Sequence, residues 1–282
     1  MDDHRFSHTR IGPLLAAMIA ALVLTASGRA QLLDDFSDGN DDGWTRFTVP
    51  PDLPWASWDA STYVYRLSVD DTKGLTPEGS AVASILDLTD DPEFWNGYWW
   101  ATVVRETGNS TTVLFMRGGF EPTRAYLFGW RPDTGLFIGR VDGASITILA
   151  IDPTFVQYVG TEYVLEAGAI GSDLELRMWL PGQDRPEFPQ VSTTDYYYAS
   201  GANGIVAQAY SDGDLSATFD DVSFAPPCPA DVNSDDTVDI DDVFAVLYAW
   251  GPCEGCPEDI NYDGVVDIDD VFEVLADWGP CP

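Results

Sequence analysis

Histidine is almost missing from this chain. Both of its histidines, His4 and His8, stand within the first ten residues, and Lys73 is the only lysine. Beyond that start no Ser-His-Asp triad, Cys-His dyad or histidine-bound zinc can be assembled from the chain's own residues. Cysteine is confined to the end, at Cys228, Cys253, Cys256 and Cys281, and past residue 30 no apolar run approaches the length that crosses a bilayer. Any chemistry must therefore use carboxylates, tyrosines, arginines or a metal.

Acidic side chains dominate what is present. Asp and Glu number 47 against 13 Lys and Arg, a formal net charge of -34. Nucleic acid and anionic lipid are repelled by such a surface rather than bound. The first 30 residues stand apart, because Arg5 and Arg10 precede an apolar run from Ile11 to Ala26, and Gly28-Arg29-Ala30 sets small residues at the third and first positions before a cut. This is the pattern of a secretory signal peptide removed after Ala30, and the run is short for a retained span. The expectation is a secreted or cell-surface, extracytoplasmic protein with no membrane span after cleavage. It divides into a signal peptide (1–30), a large domain (31–225) and a small acidic domain (226–282), joined by Ala225-Pro226-Pro227.

The small domain repeats itself at a spacing of 28 residues. Asp231, Asn233, Asp235, Asp239 and Asp242 stand at positions 1, 3, 5, 9 and 12 of one loop, and Asp259, Asn261, Asp263, Asp267 and Asp270 hold the same positions in the second. Alternating oxygen-bearing side chains of this kind, with a backbone carbonyl at position 7 (Thr237 and Val265), can wrap six to eight oxygens around one Ca²⁺. Position 6, where such a loop turns sharply, is Gly264 in the second copy and Asp236 in the first, so the first site is expected to be the weaker. Eleven carboxylates in the two loops repel one another, so folding of this domain is expected to depend on the metal.

Helical periodicity follows each loop. Ile240, Val243, Phe244, Val246, Leu247 and Trp250 are repeated as Ile268, Val271, Phe272, Val274, Leu275 and Trp278, and Gly251-Pro252 and Gly279-Pro280 end the two helices. Pro227-Cys228-Pro229 and Gly255-Cys256-Pro257 cannot form the last turn of an entering helix, so the unit is loop then helix, twice. This pattern, with Asp at position 12, resembles the type I dockerin domain over Cys228 to Cys281, in the cysteine-bearing variant with Trp-Gly-Pro-Cys endings. The resemblance implies two Ca²⁺ ions and docking onto a cohesin-like domain of a scaffold or cell surface. The family reads positions 10 and 11 of each loop, often small hydroxyl residues; here they are Ile240-Asp241 and Ile268-Asp269, a departure from that pattern. The copies also differ at Ala245 and Glu273, Tyr248 and Ala276, and Ala249 and Asp277, which predicts one neutral helix face and one acidic face. A calcium-stapled cap with no partner is the plainer alternative.

Four cysteines allow three pairings. A loop plus helix holds Cys228 too far from Cys253 for a disulfide, whereas pseudo-twofold symmetry brings the start of each repeat beside the end of the other. The expected pairs are Cys228 with Cys281 and Cys253 with Cys256; a zinc site is the rival use of these residues.

The large domain shows short alternating or aromatic runs broken by Gly, Asp, Asn and Pro. Strands are predicted over 62–67, 81–88, 98–105, 112–117, 125–130, 136–141, 147–151, 162–168, 174–180, 204–209 and 217–224, with no amphipathic helix of useful length. Eleven such strands argue for an antiparallel β-sandwich. Asp34-Asp35-Phe36, Phe115-Met116-Arg117, Tyr126 to Trp130, Gly139 to Gly143, Glu162 to Glu166, Leu176 to Pro181 and Thr218 to Val222 resemble, in that order, the concanavalin A-like or laminin G-like jelly roll. The resemblance implies paired first and last strands, and a structural Ca²⁺ at Asp35 and Asp220; otherwise both acids simply cap turns.

Glycosidases need two carboxylates flanking the scissile bond. The sandwich glucanases place them in a Glu-x-Asp-x-x-Glu string, which is absent here, and the acids Glu106, Glu162, Glu166, Asp173 and Glu175 make no convincing acid and nucleophile pair. No catalytic residue is assigned. Aromatic and arginine side chains on the central strands, Trp95, Trp99, Trp100, Tyr126, Trp130, Arg105, Arg117 and Arg131, offer stacking and hydroxyl recognition instead, or else are core. Arg117, Tyr126 and Trp130 are the residues expected to touch a ligand. Two readings stand: a non-catalytic carbohydrate-binding or adhesion sandwich on a calcium-dependent tether, and a dockerin-anchored polysaccharide hydrolase or lyase.

Overall fold

The computed structural model describes residues 31–70, 76–119, 123–233, 237–253, 256–261 and 263–281. The expected signal peptide, Lys73, and Asp235 and Asp236 of the first acidic loop lie outside the described residues.

The large domain is mainly β. In chain order its strands are β1 (Gln31–Asp34), β2 (Trp44–Val49), β3 (Ala56–Asp59), β4 (Tyr65–Val69), β5 (Ala81–Leu86), β6 (Gly97–Arg105), β7 (Ser110–Gly118), β8 (Arg124–Arg131), β9 (Gly135–Asp142), β10 (Ser145–Asp152), β11 (Glu162–Ile170), β12 (Asp173–Trp179), β13 (Val191–Thr194), β14 (Ala202–Ala209) and β15 (Leu215–Ala225). They form two antiparallel sheets. One runs β13-β12-β11-β6-β15-β4-β3 with β1 added against β15, and the other runs β10-β9-β8-β7-β14-β5-β2. The eleven expected strands are β4 to β12, β14 and β15. The unpredicted ones, β1, β2, β3 and β13, are too short or too mixed in polarity to show a period of two, and pairing with a longer neighbour creates them.

Alternation explains how β6 divides. Trp99, Ala101 and Val103 enter the core, where Tyr65, Leu67, Leu114, Phe128, Leu165 and Phe219 meet them from both sheets. Tyr98, Trp100, Thr102 and Val104 face outward from the same strand. On the other side of the sandwich, Ile85, Phe115 and Leu127 form a second apolar cluster on the outer face of the second sheet. Gly204 is needed there, since a Cβ would lie 2.5 Å from the Phe115 ring and 2.2 Å from the Ser84 carbonyl oxygen.

In the small domain α1 (Ile240–Tyr248) and α2 (Ile268–Ala276) each begin with a reciprocal cap. The Asp239 carboxylate accepts from the Asp241 N–H, and the Asp242 carboxylate accepts from the Asp239 N–H; Asp267 and Asp270 repeat this in α2. Thr237–Val238 pairs with Gly279–Pro280 and Gly251–Pro252 with Val265–Val266, so the two repeats hold each other end to end. Disulfides join Cys228 to Cys281 and Cys253 to Cys256, with Cα separations of 5.9 and 6.0 Å. The core is small and made of Ala230, Val238, Val246, Ile260, Val266, Val271 and Val274. Only the valines of the helical periodicity, Val246, Val271 and Val274, with Val243 packed against them, enter this core. Ile240, Phe244, Leu247 and Trp250, and their counterparts Ile268, Phe272, Leu275 and Trp278, are exposed, because each short helix turns only its valine edge toward the other repeat.

Candidate functional site

The two acidic loops are built alike. Asp270 is buried and its carboxylate accepts from the N–H groups of Ile260 (2.8 Å), Asn261 (3.2 Å) and Asp267 (2.8 Å). Asp242 is buried in the same way and accepts from Val232 (2.8 Å), Asn233 (3.1 Å) and Asp239 (2.8 Å). In the second loop Asp259 accepts from the N–H groups of Asp263 and Gly264, Asn261 from Asp263, and Asp263 from Val265. These bonds curl the loop around its own acids. Among the described residues, no three His, Cys, Asp or Glu side chains converge as a ready metal site, since the carboxylates are turned toward loop N–H groups. The chemistry of the set still fits a divalent cation. Asp242, Asp259 and Asp270 are buried, and the domain contains no Lys or Arg to neutralise them.

In the sandwich, β1 pairs antiparallel with β15, Asp34 standing opposite Val222. Asp35 accepts from the Ser37 N–H and Asp220 from the Asp221 N–H, both short turn-capping bonds. Burial pushes the Asp220 carboxyl up to about 6, and the charges of Asp221, Asp35 and Glu162 add to the shift. No basic side chain is among the causes, and Asp35 itself is held below the ordinary Asp value by its hydrogen bonds from Ser37.

Arg117 does not face a cleft, contrary to the sequence reading. It is 1 % exposed, takes positive φ, and its guanidinium donates to the carbonyls of Trp95 (2.9 Å), Gly171 (2.7 Å), Tyr198 (3.0 Å) and Ala169 (3.1 Å) and to Asn96 Oδ1 (3.0 Å). It ties three segments, 95–96, the end of β11 at 169–171 and the loop at Tyr198, to the end of β7 and has no donor left for a sugar. Tyr126 is also interior. Its hydroxyl donates to Asp195 Oδ1 (2.7 Å) and accepts from the N–H groups of Tyr197 and Tyr198, and burial, with Asp195 beside it, pushes its pKa up to about 12. Trp99 is core, its indole N–H on the Gly204 carbonyl. Trp130 is nearly buried and donates to the Phe155 carbonyl, with the Arg105 guanidinium 4.3 Å above its ring. Arg131 pairs with Asp133, and Glu106 with Arg66.

The larger cleft lies elsewhere, on the outer face of the first sheet. Strand register sets its floor: Glu166 stands opposite both Trp100 and Arg177, Gly168 opposite Tyr98 and Glu175, and Val164 opposite Trp179. The cleft measures about 670 Å³, with Phe188 on one wall and, on another, the linker Ala225-Pro226-Pro227 together with Cys228, Pro229, Asp231, Asn233 and Cys281 of the small domain. Glu166 is only 3 % exposed. Its oxygens accept from Arg177 (3.0 Å) and from Arg185 (2.7 and 3.0 Å), while Arg177 also reaches Glu175 (2.9 Å). Both guanidinium groups lie over the Tyr98 ring, at 5.9 and 5.2 Å from its centroid. Gly168 makes room for that ring, since a Cβ there would lie 2.9 Å from it. The result is a floor of aromatic faces bordered by fixed charges, able to stack a flat apolar ring face and to hydrogen-bond hydroxyls at its edge. None of these is among the residues that the sequence marks as ligand contacts; Trp100 enters there only as one aromatic that stacks or else is core, and Glu166 and Glu175 as acids without a catalytic partner. Cross-strand register gathers them from four separated segments.

No family model matches the chain, and no curated protein does. Among solved structures it is similar to carbohydrate-binding module CBM66 from Bacillus subtilis (15% identity over 64% of this chain and 93% of that one, TM-score 0.47). It is similar also to a Bacillus licheniformis β-glucanase (11%, 73% and 100%, TM-score 0.45) and to arcelin-5, a lectin-like defence protein from Phaseolus vulgaris (10%, 71% and 98%, TM-score 0.45). Similarity this distant assigns no function.

Proposed function

We propose that this is an extracytoplasmic, non-catalytic carbohydrate-binding protein whose sandwich holds a glycan in the outer-face cleft and whose small domain is a calcium-dependent, dockerin-like tether. The observation that carries the reading is the floor of Tyr98, Trp100 and Trp179 beside the Arg177–Glu166–Arg185 cluster. Sugar rings stack on such faces, and guanidinium and carboxylate groups hold equatorial hydroxyls without any proton transfer. Weighing against a hydrolase or lyase is the state of Glu166: both its oxygens are taken by arginines, which suits neither a general acid nor a nucleophile.

In the tether, Asp259, Asn261, Asp263, Asp267, Asp270 and the Val265 carbonyl would hold one Ca²⁺, and Asp231, Asn233, Asp235, Asp239, Asp242 and the Thr237 carbonyl a second. Bound calcium would supply the positive charge that eleven loop carboxylates lack. A third ion at Asp35 and Asp220 belongs to the same reading. A cohesin-like domain or a cell-surface scaffold would dock on the exposed row of Ile240, Phe244, Leu247 and Trp250, or on Ile268, Phe272, Leu275 and Trp278. Identical large apolar residues kept outward in both repeats are costly in water unless covered.

Affinity electrophoresis and calorimetry of the full chain against a polysaccharide panel test the glycan. Retention without release of reducing ends is expected, and Trp100→Ala and Trp179→Ala should each weaken it. Turnover abolished by one Glu or Asp substitution would replace this reading with the hydrolase or lyase.

A further inference from the structure

The outer-face cleft belongs to both domains. Its floor is sheet, but Cys228, Pro229, Asp231, Asn233 and Cys281 of the small domain stand along one wall. Asp231 and Asn233 are positions 1 and 3 of the first acidic loop, so two of the residues that would hold a Ca²⁺ border the same space as Trp100 and Trp179.

Strand pairing brings the domains together at this point. Ala225, the last residue of β15, stands opposite Tyr98, so the chain leaves the sandwich beside the cleft floor. Only Pro226 and Pro227 follow before Cys228, and none of residues 222–230 is exposed. Two prolines with fixed φ leave such a short linker little swing. The disulfide from Cys228 to Cys281 then fastens the other end of the small domain to the same place. A turn in which the Cys228 carbonyl accepts from the Asp231 N–H leads from that disulfide into the first loop.

The first loop holds this wall from behind. The buried Asp242 carboxylate, at position 12, accepts from the N–H groups of Val232 and Asn233, and the domain has no Lys or Arg to balance it. Divalent charge taken up by Asp231, Asn233 and Asp242 would therefore act on segment 231–233, which borders the cleft. Asp270 makes the matching bonds to Ile260 and Asn261 in the second loop, but none of the described residues of that loop lines the cleft.

We propose that glycan and Ca²⁺ bind this chain cooperatively, because the small domain supplies the second wall of the glycan cleft and its first loop sets that wall. The coupling rests on the reading of the outer-face cleft as a glycan site and of the loops as calcium sites. In metal-free protein the acids of the first loop repel one another and loosen segment 231–233, so Ca²⁺ raises glycan affinity. By reciprocity, glycan raises the affinity of that one ion by the same factor. The small domain is then a sensor as well as a tether. Glu166, Glu175, Glu187 and Asp231 outnumber Arg177 and Arg185 in the lining, and both arginines already hold carboxylates, so the glycan is a neutral one.

Calorimetric titration of the full chain with cellohexaose, laminarihexaose and mannohexaose, in Ca²⁺ and in EGTA, tests the coupling. At least one is expected to bind about fivefold or more tightly in Ca²⁺. That hexasaccharide at saturation should tighten one of the two calcium steps by the same factor and leave the other unchanged. Asp263→Asn, in the second loop, should keep the calcium effect on glycan binding. Trp100→Ala should weaken glycan binding and leave the calcium affinity of the sugar-free protein as it was. A flexible insert of about six Gly and Ser residues between Pro226 and Pro227 should hold glycan affinity at its EGTA value in both buffers, while both calcium steps persist. Equal glycan affinity in Ca²⁺ and EGTA, or a calcium effect that survives the insert, would overturn the coupling and leave the glycan site standing. Binding of none of the three in Ca²⁺ would remove the outer-face glycan site itself, and the coupling with it.

Discussion

Arg117 shows how residue type and residue role come apart. The sequence offers it as a ligand contact, yet its guanidinium donates to four carbonyls and an amide oxygen in the interior. Arg117→Met would strand those acceptors and is expected to cost about 3 kcal/mol or more in guanidinium denaturation, with no selective effect on glycan affinity in whatever folded protein remains. Asp220 makes a pH prediction. Its carboxyl titrates near 6 in the fold, above the ordinary 3.8 of an unfolded Asp, so between those values the folded form keeps a proton the unfolded form has lost. Stability from this group is full in acid and falls as pH rises through that window. In metal-free protein Asp220→Asn should raise Tm at pH 7 and match the parent near pH 4; a calcium ion seated at Asp35 and Asp220 would erase the pH 7 difference in the parent.

At the scale of elements, strand alternation sorts side chains to two faces, and pairing register then decides which outward residues meet. Trp100 from β6, Glu166 from β11 and Arg177 from β12 share one row only because those strands are neighbours in the sheet. Gly168 is the spacer in the adjacent row. Gly168→Ala should displace the Tyr98 ring and weaken glycan retention while leaving the β spectrum unchanged, since only a side chain need shift. Trp100→Ala and Trp179→Ala, on the half-buried outer face, are each expected to reduce affinity about fivefold with little change in Tm.

Across the whole molecule two cores of unequal size carry the fold. The sandwich holds an extensive interior, whereas the small domain rests on a handful of valines, two disulfides and loops dense in acid. Differential scanning calorimetry should show two transitions. EGTA is expected to lower or remove that of the small domain and leave the sandwich unmoved, while Ca²⁺ at about a hundredfold excess over Kd adds about 3 kcal/mol to the former. A single calcium-insensitive transition would contradict the tether.

The sequence alone determined the β-rich body with eleven of the fifteen strands found there among the described residues, and the twice-repeated loop-and-helix tail, because these are local matters of period, turn residues and spacing. The aromatic run in β6 marked the right strand without telling which rings were core. Only the tertiary structure decided that Arg117 and Tyr126 turn inward, that Trp100 turns outward to meet Glu166 and Arg177, and that the large residues of the two helices remain uncovered. Those outcomes depend on which strands lie side by side and on how much surface a small core can hide, and neither quantity is written in any single segment.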